Sequence, residues 1–303
     1  MTSLSLRDAD PVGGRASRTL LTALAPAAWG TTYLVTTELL PPGYPLLSTV
    51  IRVLPAGLIL LAIVRTLPRG SWWWRALLLG VLNIGVFNAL LFVAAYRLPG
   101  GVAAILTSTQ PLLVALLALP ALGERPTTHR LLWSIAGIAG VALIVLRGDV
   151  SFDPVGVVAG VLAACAMSAG VVLTRRWGRP ADIGGATMAA WQLTAGGVVL
   201  LPLAVAVEGV PSALGPSAIA GYAWLCLAGA LLAYPLWFTG IARLPVTAVS
   251  FLTLLSPVIA TVLGWAVLGE ALTVWQGVGF CLTLTAIAAA QLPPGVLRSR
   301  RRR

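Results

Sequence analysis

A chain of 303 residues in which 58% are hydrophobic and only 10% are charged cannot be an ordinary soluble domain, where about a quarter of residues carry charge, so it reads as a polytopic membrane protein. The formal net charge of +11 does not make it a nucleic-acid binder, because the arginines stand at the ends of apolar runs and are not interleaved with aromatics in a soluble patch. All 20 basic residues are arginine, which excludes P-loop, Schiff-base and pyridoxal chemistry, since each requires a lysine.

In chain order, residues 1–18 read as a polar cytoplasmic tail, with Arg7, Arg15 and Arg18 against Asp8 and Asp10. Ala23-Leu24-Ala25 fits a signal-peptide cleavage triplet, but the apolar run continues past Trp29 to Leu40, which points to a retained span. Ten apolar runs of bilayer-crossing length follow one another between breakers: 19–40, 45–66, 76–96, 101–121, 129–146, 154–174, 184–206, 217–240, 245–268 and 273–292. A basic tail, 293–303, closes the chain and suits anionic lipid headgroups.

Arginine placement tests this count. With the N-terminus inside, the cytoplasmic side receives the tail arginines together with Arg65, Arg69, Arg75, Arg125, Arg130, Arg175, Arg176, Arg179 and Arg243, while the outside receives only Arg97 and Arg147. Ten spans with both termini cytoplasmic satisfy the positive-inside rule, and adding or dropping a span midway would scramble it.

The fourth run and its approach, Arg97 to Glu124, recur as Arg243 to Glu270. At one constant offset the copies share the Arg-Leu-Pro opening, Leu106/Leu252, Thr107/Thr253, Pro111/Pro257, Leu117/Leu263 and the terminal Leu-Gly-Glu. Five spans separate the copies and five is odd, so residues 19–147 and 154–292 form two five-helix repeats of opposite orientation. Leu90/Leu236, Phe92/Phe238 and, at a different offset, Gly57/Gly197 extend the correspondence. Pro111 and Pro257 are expected to break their helices at similar depth. Glu124 and Glu270 are expected to act structurally, favouring the N-terminal ends of spans five and ten.

Trp29-Gly30, Arg52, both Arg-Leu-Pro openings, and the Pro-x(11)-Gly-Glu of Pro111, Gly123 and Glu124 with its copy at Pro257, Gly269 and Glu270 together resemble the drug/metabolite transporter superfamily, in its ten-helix EamA-like branch. That resemblance covers residues 19 to 292. It implies an all-α polytopic membrane protein of ten transmembrane helices, arranged as two inverted repeats around a central cavity, that exports small metabolites or drugs. The sixth span has Ala-Cys-Ala-Met-Ser where the counterpart of Trp29 would stand, against a symmetric aromatic gate.

Arg52 is the one arginine well inside a span, where a charge costs about 2.5–3.5 kcal/mol on insertion scales. Either it pairs with Glu38 or snorkels, or it meets an anionic substrate group. Gln192 occupies its rough inverted-repeat position. The candidate substrate cavity comprises Trp29, Tyr33, Arg52, Asn83, Asn88, Gln110, Trp191, Gln192, Tyr234 and Trp237, with single Ser and Thr hydroxyls expected to bond to their own helices. Trp72, Trp73 and Trp74 read as an interfacial anchor, His129 as plain surface, and Cys165, Cys226 and Cys281 as packing residues.

These observations support a secondary transporter working by alternating access, with a small molecule and the lipid bilayer as partners and no cofactor or metal. An intramembrane enzyme would need a buried acid, base, nucleophile or metal cluster, and the spans supply none. A non-transporting receptor or accessory subunit is the alternative, although such a role requires no inverted repeat. Arg52 among aromatics favours a ligand with a carboxylate and an apolar body, such as an amino acid. The only acid within a span is Glu38, near its outer end. Facilitated transport or exchange is therefore expected, with proton coupling through Glu38 as the competing reading.

Overall fold

In hydrocarbon every backbone polar group must be satisfied internally, and among the described residues the regular elements are all helices. The computed structural model describes residues 12–97, 106–125, 127–145, 153–269 and 273–291. Among them run α1 (Val12–Leu39), α2 (Pro45–Val64), α3 (72–97), α4 (106–122), α5 (Thr128–Val145), α6 (Pro154–Trp177), α7 (Gly185–Glu208), α8 (Pro216–Arg243), α9 (Val246–Leu268) and α10 (Val274–Gln291). Among the described residues, α2, α3 and α6 to α10 are long and apolar enough to cross a bilayer, and the described parts of α4 and α5 are apolar but shorter. The protein is an all-α polytopic membrane protein. α1 begins at Val12, so helix extends into the segment read as a tail, where Arg15, Ala16 and Arg18 favour helix continuation.

The helices pair as two interlocked halves. α2 lies along α7 and α5 along α10, while α1 packs on α8 and α9 as α6 packs on α3 and α4. Exchanging each helix for the one five places on leaves this pattern unchanged. Contacts running from Leu46 with Glu208 to Gly57 with Thr194 make α2 and α7 antiparallel. Those from His129 with Ala289 to Ile144 with Gln276 do the same for α5 and α10. A helix antiparallel to its own counterpart requires the relating axis to lie across the helices, as in an inverted repeat.

Glycine sets the α2–α7 distance. A Cβ on Gly57 would lie 2.6 Å from the Thr194 amide nitrogen, and one on Gly197 would lie 2.8 Å from Leu54 Cβ. Thr194 follows Leu54 by the same 140 residues that separate Gly197 from Gly57, so the two close approaches are equivalent contacts, exchanged when the halves are exchanged. Small residues at such crossings let backbones meet where no hydrophobic force drives helices together.

Two irregularities recur in both halves. α3 widens into a π turn at Val81–Val86 and α8 into one at Leu227–Leu232, at the 146-residue offset that relates Arg97 to Arg243. α9 breaks between Val246–Leu252 and Leu255–Leu268, where the Thr253 and Leu254 amides bond three residues back to Ser250 and Phe251. α4 tightens likewise at Thr109, whose amide bonds to Leu106, just before Gln110–Leu122. Pro111 and Pro257 stand directly after these breaks, where a residue without an amide donor leaves no bond unmade. Gly123 and Gly269 close the two helices with φ of 69° and 68°, a left-handed geometry that glycine adopts without a Cβ penalty.

Substituting Gly57 by Ala is expected to lower thermal stability in detergent by about 1–3 kcal/mol, the usual cost of overpacking. Gly277→Ala, where an added Cβ meets nothing within 4 Å, should unfold like the parent. Equal melting of the two variants would show that the α2–α7 crossing tolerates separation.

Candidate functional site

The π turn of α8 is where side chains from several helices converge. A π turn closes its ring one residue later than an α turn, and here the Gly229 carbonyl accepts from two side chains outside its own helix. Trp29 of α1 donates its indole N–H at 3.0 Å, and Arg52 of α2 donates from Nη2 at 3.2 Å. Glycine leaves room here for the guanidinium, since a Cβ on Gly229 would sit 3.3 Å from Arg52 Nε, a tight contact. The Trp29 ring stands 5.2 Å from both Tyr234 and Trp237, and Tyr234 stacks on Phe238 at 6.0 Å. The Tyr234 hydroxyl faces Arg52 and Asn88, and Asn88 also donates to the Ile84 carbonyl of its own helix. Trp237 is 1% exposed, and its indole N–H has no hydrogen-bond partner among the described residues.

The π turn of α3 carries the second cluster. Asn83 donates from Nδ2 to Gln192 Oε1 at 2.7 Å and to the Thr174 hydroxyl at 3.4 Å. Its amide presses against Gly170 of α6, where a Cβ would collide with it. Asn83 and Gln192 are fully buried, yet Asn83 Oδ1 and Gln192 Nε2 have no partner among the described residues. Below this pair, Thr174, Arg175, Met188, Phe238 and Ile241 line a cavity of about 110 Å³ at the end of α6 and α8.

The remaining sequence candidates separate from these clusters. Gln110 is buried on α4 with its Nε2 unpartnered among the described residues. Trp191 donates to the Thr66 carbonyl at 2.7 Å, closing the C-terminal end of α2. Glu38 is exposed in the last turn of α1, and the contact described for Arg52 is with the Gly229 carbonyl. Glu124 is half-buried after α4. The Tyr33 side chain and Glu270 lie outside the described residues. Among the described residues no three His, Cys, Asp or Glu side chains group to hold a metal ion.

Several working residues escaped the sequence reading. Glu208 accepts from the Leu46 and Leu47 amides at 2.8 and 2.9 Å, capping α2 from the far end of α7; a larger open cavity of about 450 Å³ lies beside it. Arg175 donates to the Ile241 and Ala242 carbonyls at 3.2 and 2.6 Å, closing α8. Asp153 caps α6 through the Val155 and Gly156 amides and pairs with Arg97 at 3.1 Å. Trp72 and Trp74, read as an anchor, join Trp177 in holding Arg75 against three ring faces at 5.6 Å each, a cation–π arrangement. His129 is no plain surface residue: it is half-buried, meets the Ala289 carbonyl at 3.1 Å and packs edge-on to Trp133. Cap acceptors leave no signal in hydropathy, which is why these contacts were not legible.

The profile of the EamA-like transporter family matches residues 17–146 and 154–290. The chain is 43% identical over 267 residues to Protein PecM of Dickeya dadantii, covering 88% of this chain and 90% of that protein. It is 29% identical over 193 residues to the Probable terminal-alkyne amino-acid exporter of Streptantibioticus cattleyicolor, covering 64% of each. A solved crystal structure superposes with a TM-score of 0.78 at 22% identity, spanning 94% of this chain and 99% of that one, which shows the shared fold.

Asp153 yields a pH prediction. Desolvation is the largest single influence and raises its pKa, but the bond from Arg97, the two amide bonds and the Arg97 charge together outweigh it and hold the carboxyl below its ordinary value. A depressed acid contributes stability that is complete above its unfolded pKa and is lost as pH falls through its folded one. The stability difference between wild type and Asp153→Asn should therefore be constant near neutrality and shrink on acidification below the ordinary carboxylate range. A difference that is flat through that range in thermal melts would remove the assigned cap.

Proposed function

The chain belongs to the EamA-like transporter family, and on that premise we propose that it exports small amphipathic metabolites, amino acids or drug-like molecules with related chemistry, by alternating access. It is a multi-pass membrane protein that carries small molecules across the bilayer as a secondary transporter. The substrate class is our reading. It rests on one observation: Arg52 is set among Trp29, Tyr234 and Trp237 in the bundle interior, against the π turn of α8. A guanidinium offers a carboxylate a charge-assisted, fork-shaped partner, the aromatic rings offer an apolar body a surface, and the Trp237 N–H supplies a further donor. Such a site selects a molecule with an anionic end and an apolar end.

The arginine asymmetry supports both termini being cytoplasmic, and outward transport accords with the exporter named among the relatives. Uncoupled transport or exchange is supported by where the acids stand. Among the described residues Glu38, Glu124, Asp153, Asp182 and Glu208 all lie at helix ends or in connections, whereas a proton carrier must titrate within the membrane and be reached from both sides.

In proteoliposomes holding a panel of amino acids, Arg52→Gln is expected to slow efflux of the transported species by roughly 10- to 100-fold, the equivalent of one charge-assisted hydrogen bond. Wild-type efflux from this variant would overturn the substrate reading. A pH gradient across the same liposomes is expected to drive no uphill accumulation. Accumulation present in wild type and absent in Glu38→Gln would establish proton coupling instead.

A further inference from the structure

The two polar clusters occupy equivalent places in the two halves. Gly229 follows Asn83 by 146 residues, the offset of both π turns, and Gln192 follows Arg52 by 140, the offset of Gly57 and Gly197 and of the first residues of α2 and α7. So α2 reaches the π turn of α8 with Arg52, and α7 reaches the π turn of α3 with Gln192. The volumes are exchanged as well. In one half the π turn has glycine, and large side chains, Arg52 and Trp29, come onto its carbonyl. In the other half the π turn supplies Asn83, and the facing helix α6 offers Gly170.

We propose that Arg52–Gly229 and Gln192–Asn83 are one interhelical joint written twice, and that the charged copy is the anion-selective half-site of the transporter. The joint needs one polar group from α2 or α7 and one from the opposed π turn, and a neutral amide pair meets that need, as Asn83 and Gln192 do with a 2.7 Å bond. A neutral pair fills this place in one half, and Arg52 adds a charge to it in the other. Its charge serves the anionic end of a ligand, which lies against α2 and α8 and not against α3 and α7. This inference rests on the substrate class proposed above for its selectivity, but not for the equivalence of the joints.

The two parts are separable in one set of purified variants. Gly229→Asn alone should destabilise, because its side chain takes the space of the Arg52 guanidinium, 3.3 Å from the site of the new Cβ. Arg52→Gln alone should also destabilise, by several degrees in a detergent melt. The double variant Arg52→Gln/Gly229→Asn transplants the neutral joint and should recover at least half of the larger single loss. A double variant no more stable than its worse parent would overturn the equivalence of the joints. For selectivity, the probes are benzoate and its uncharged isostere benzamide. Benzoate should raise the melting temperature of wild type but not of the double variant, and benzamide should shift neither. If benzoate stabilises both proteins equally, or leaves wild type unmoved, the anion-selective half-site is wrong even where the stability rescue succeeds. Wild-type efflux in Arg52→Gln with a successful rescue would leave the joint standing and overturn the substrate class alone.

Discussion

Everything in this molecule is registered on the crossing of α2 and α7. A bilayer gives packed helices no hydrophobic gain over lipid, so association rests on close van der Waals approach and on polar bonds between helices. Gly57 and Gly197 bring the two backbones together at one crossing, and the helices there are each other's counterparts. That crossing places Arg52 and Gln192, one helical turn or so from the glycines, beside the π turns of α8 and α3. Move the crossing and both joints open at once.

The wide turns and the polar side chains explain one another. A π turn loosens the regular ladder, and in hydrocarbon a loosened carbonyl or amide must find a partner from elsewhere. At Gly229 the partners are the Trp29 indole and the Arg52 guanidinium. At the α3 turn, Asn83 carries its own side chain to Gln192 and Thr174. Helix ends follow the same rule with reciprocal economy: the α7 terminus caps the start of α2 through Glu208, and Trp191 near the α7 start closes the end of α2. Acid meets a helix N-terminus and donors meet a C-terminus, as the helix dipole favours.

How much of this was legible in the sequence depended on whether the feature lay on one helix or between two. The repeat at Arg97 to Glu124 was legible because proline, glycine and the charged ends mark a rod's length and breaks locally. The offset at α2 and α7 was faint, with Gly57 and Gly197 its only polar-free landmark, because a crossing constrains backbone approach and leaves the lipid face to any apolar residue. The π turns left no shared signature, since Val81–Val86 and Leu227–Leu232 have only a glycine in common beyond their apolar residues, at different positions, and Asn83 stands in one of them alone. Arg52 was recognisable as an expensive residue, but its acceptor is a backbone carbonyl 177 residues away, and every residue has a carbonyl. Asn83 and Gln192 were both singled out, yet nothing in their spacing told that they bond to each other.

A twofold scaffold with a charge in one half only has a consequence for a cycle that exchanges the conformations of its halves. In a strictly symmetric pair the inward-open and outward-open forms would contain the same internal contacts and differ only in what the two membrane faces offer. Arg52 against Gln192 removes that equality, because sealing a guanidinium from water carries a desolvation cost that sealing an amide does not. The form in which water or a ligand reaches the α2–α8 joint is thereby favoured over its twofold-related partner, in which the α3–α7 joint is the exposed one. A ligand shifts such an equilibrium only by its difference in affinity for the two forms. Under the half-site proposed above, an anionic group at Arg52 supplies that difference, since it meets a cation in one form and a neutral amide in the other. A neutral ligand of the same shape supplies far less, so under that same proposal charge selection and the bias between the two forms trace to the same difference between the halves, while the substrate gradient sets the direction of net flux.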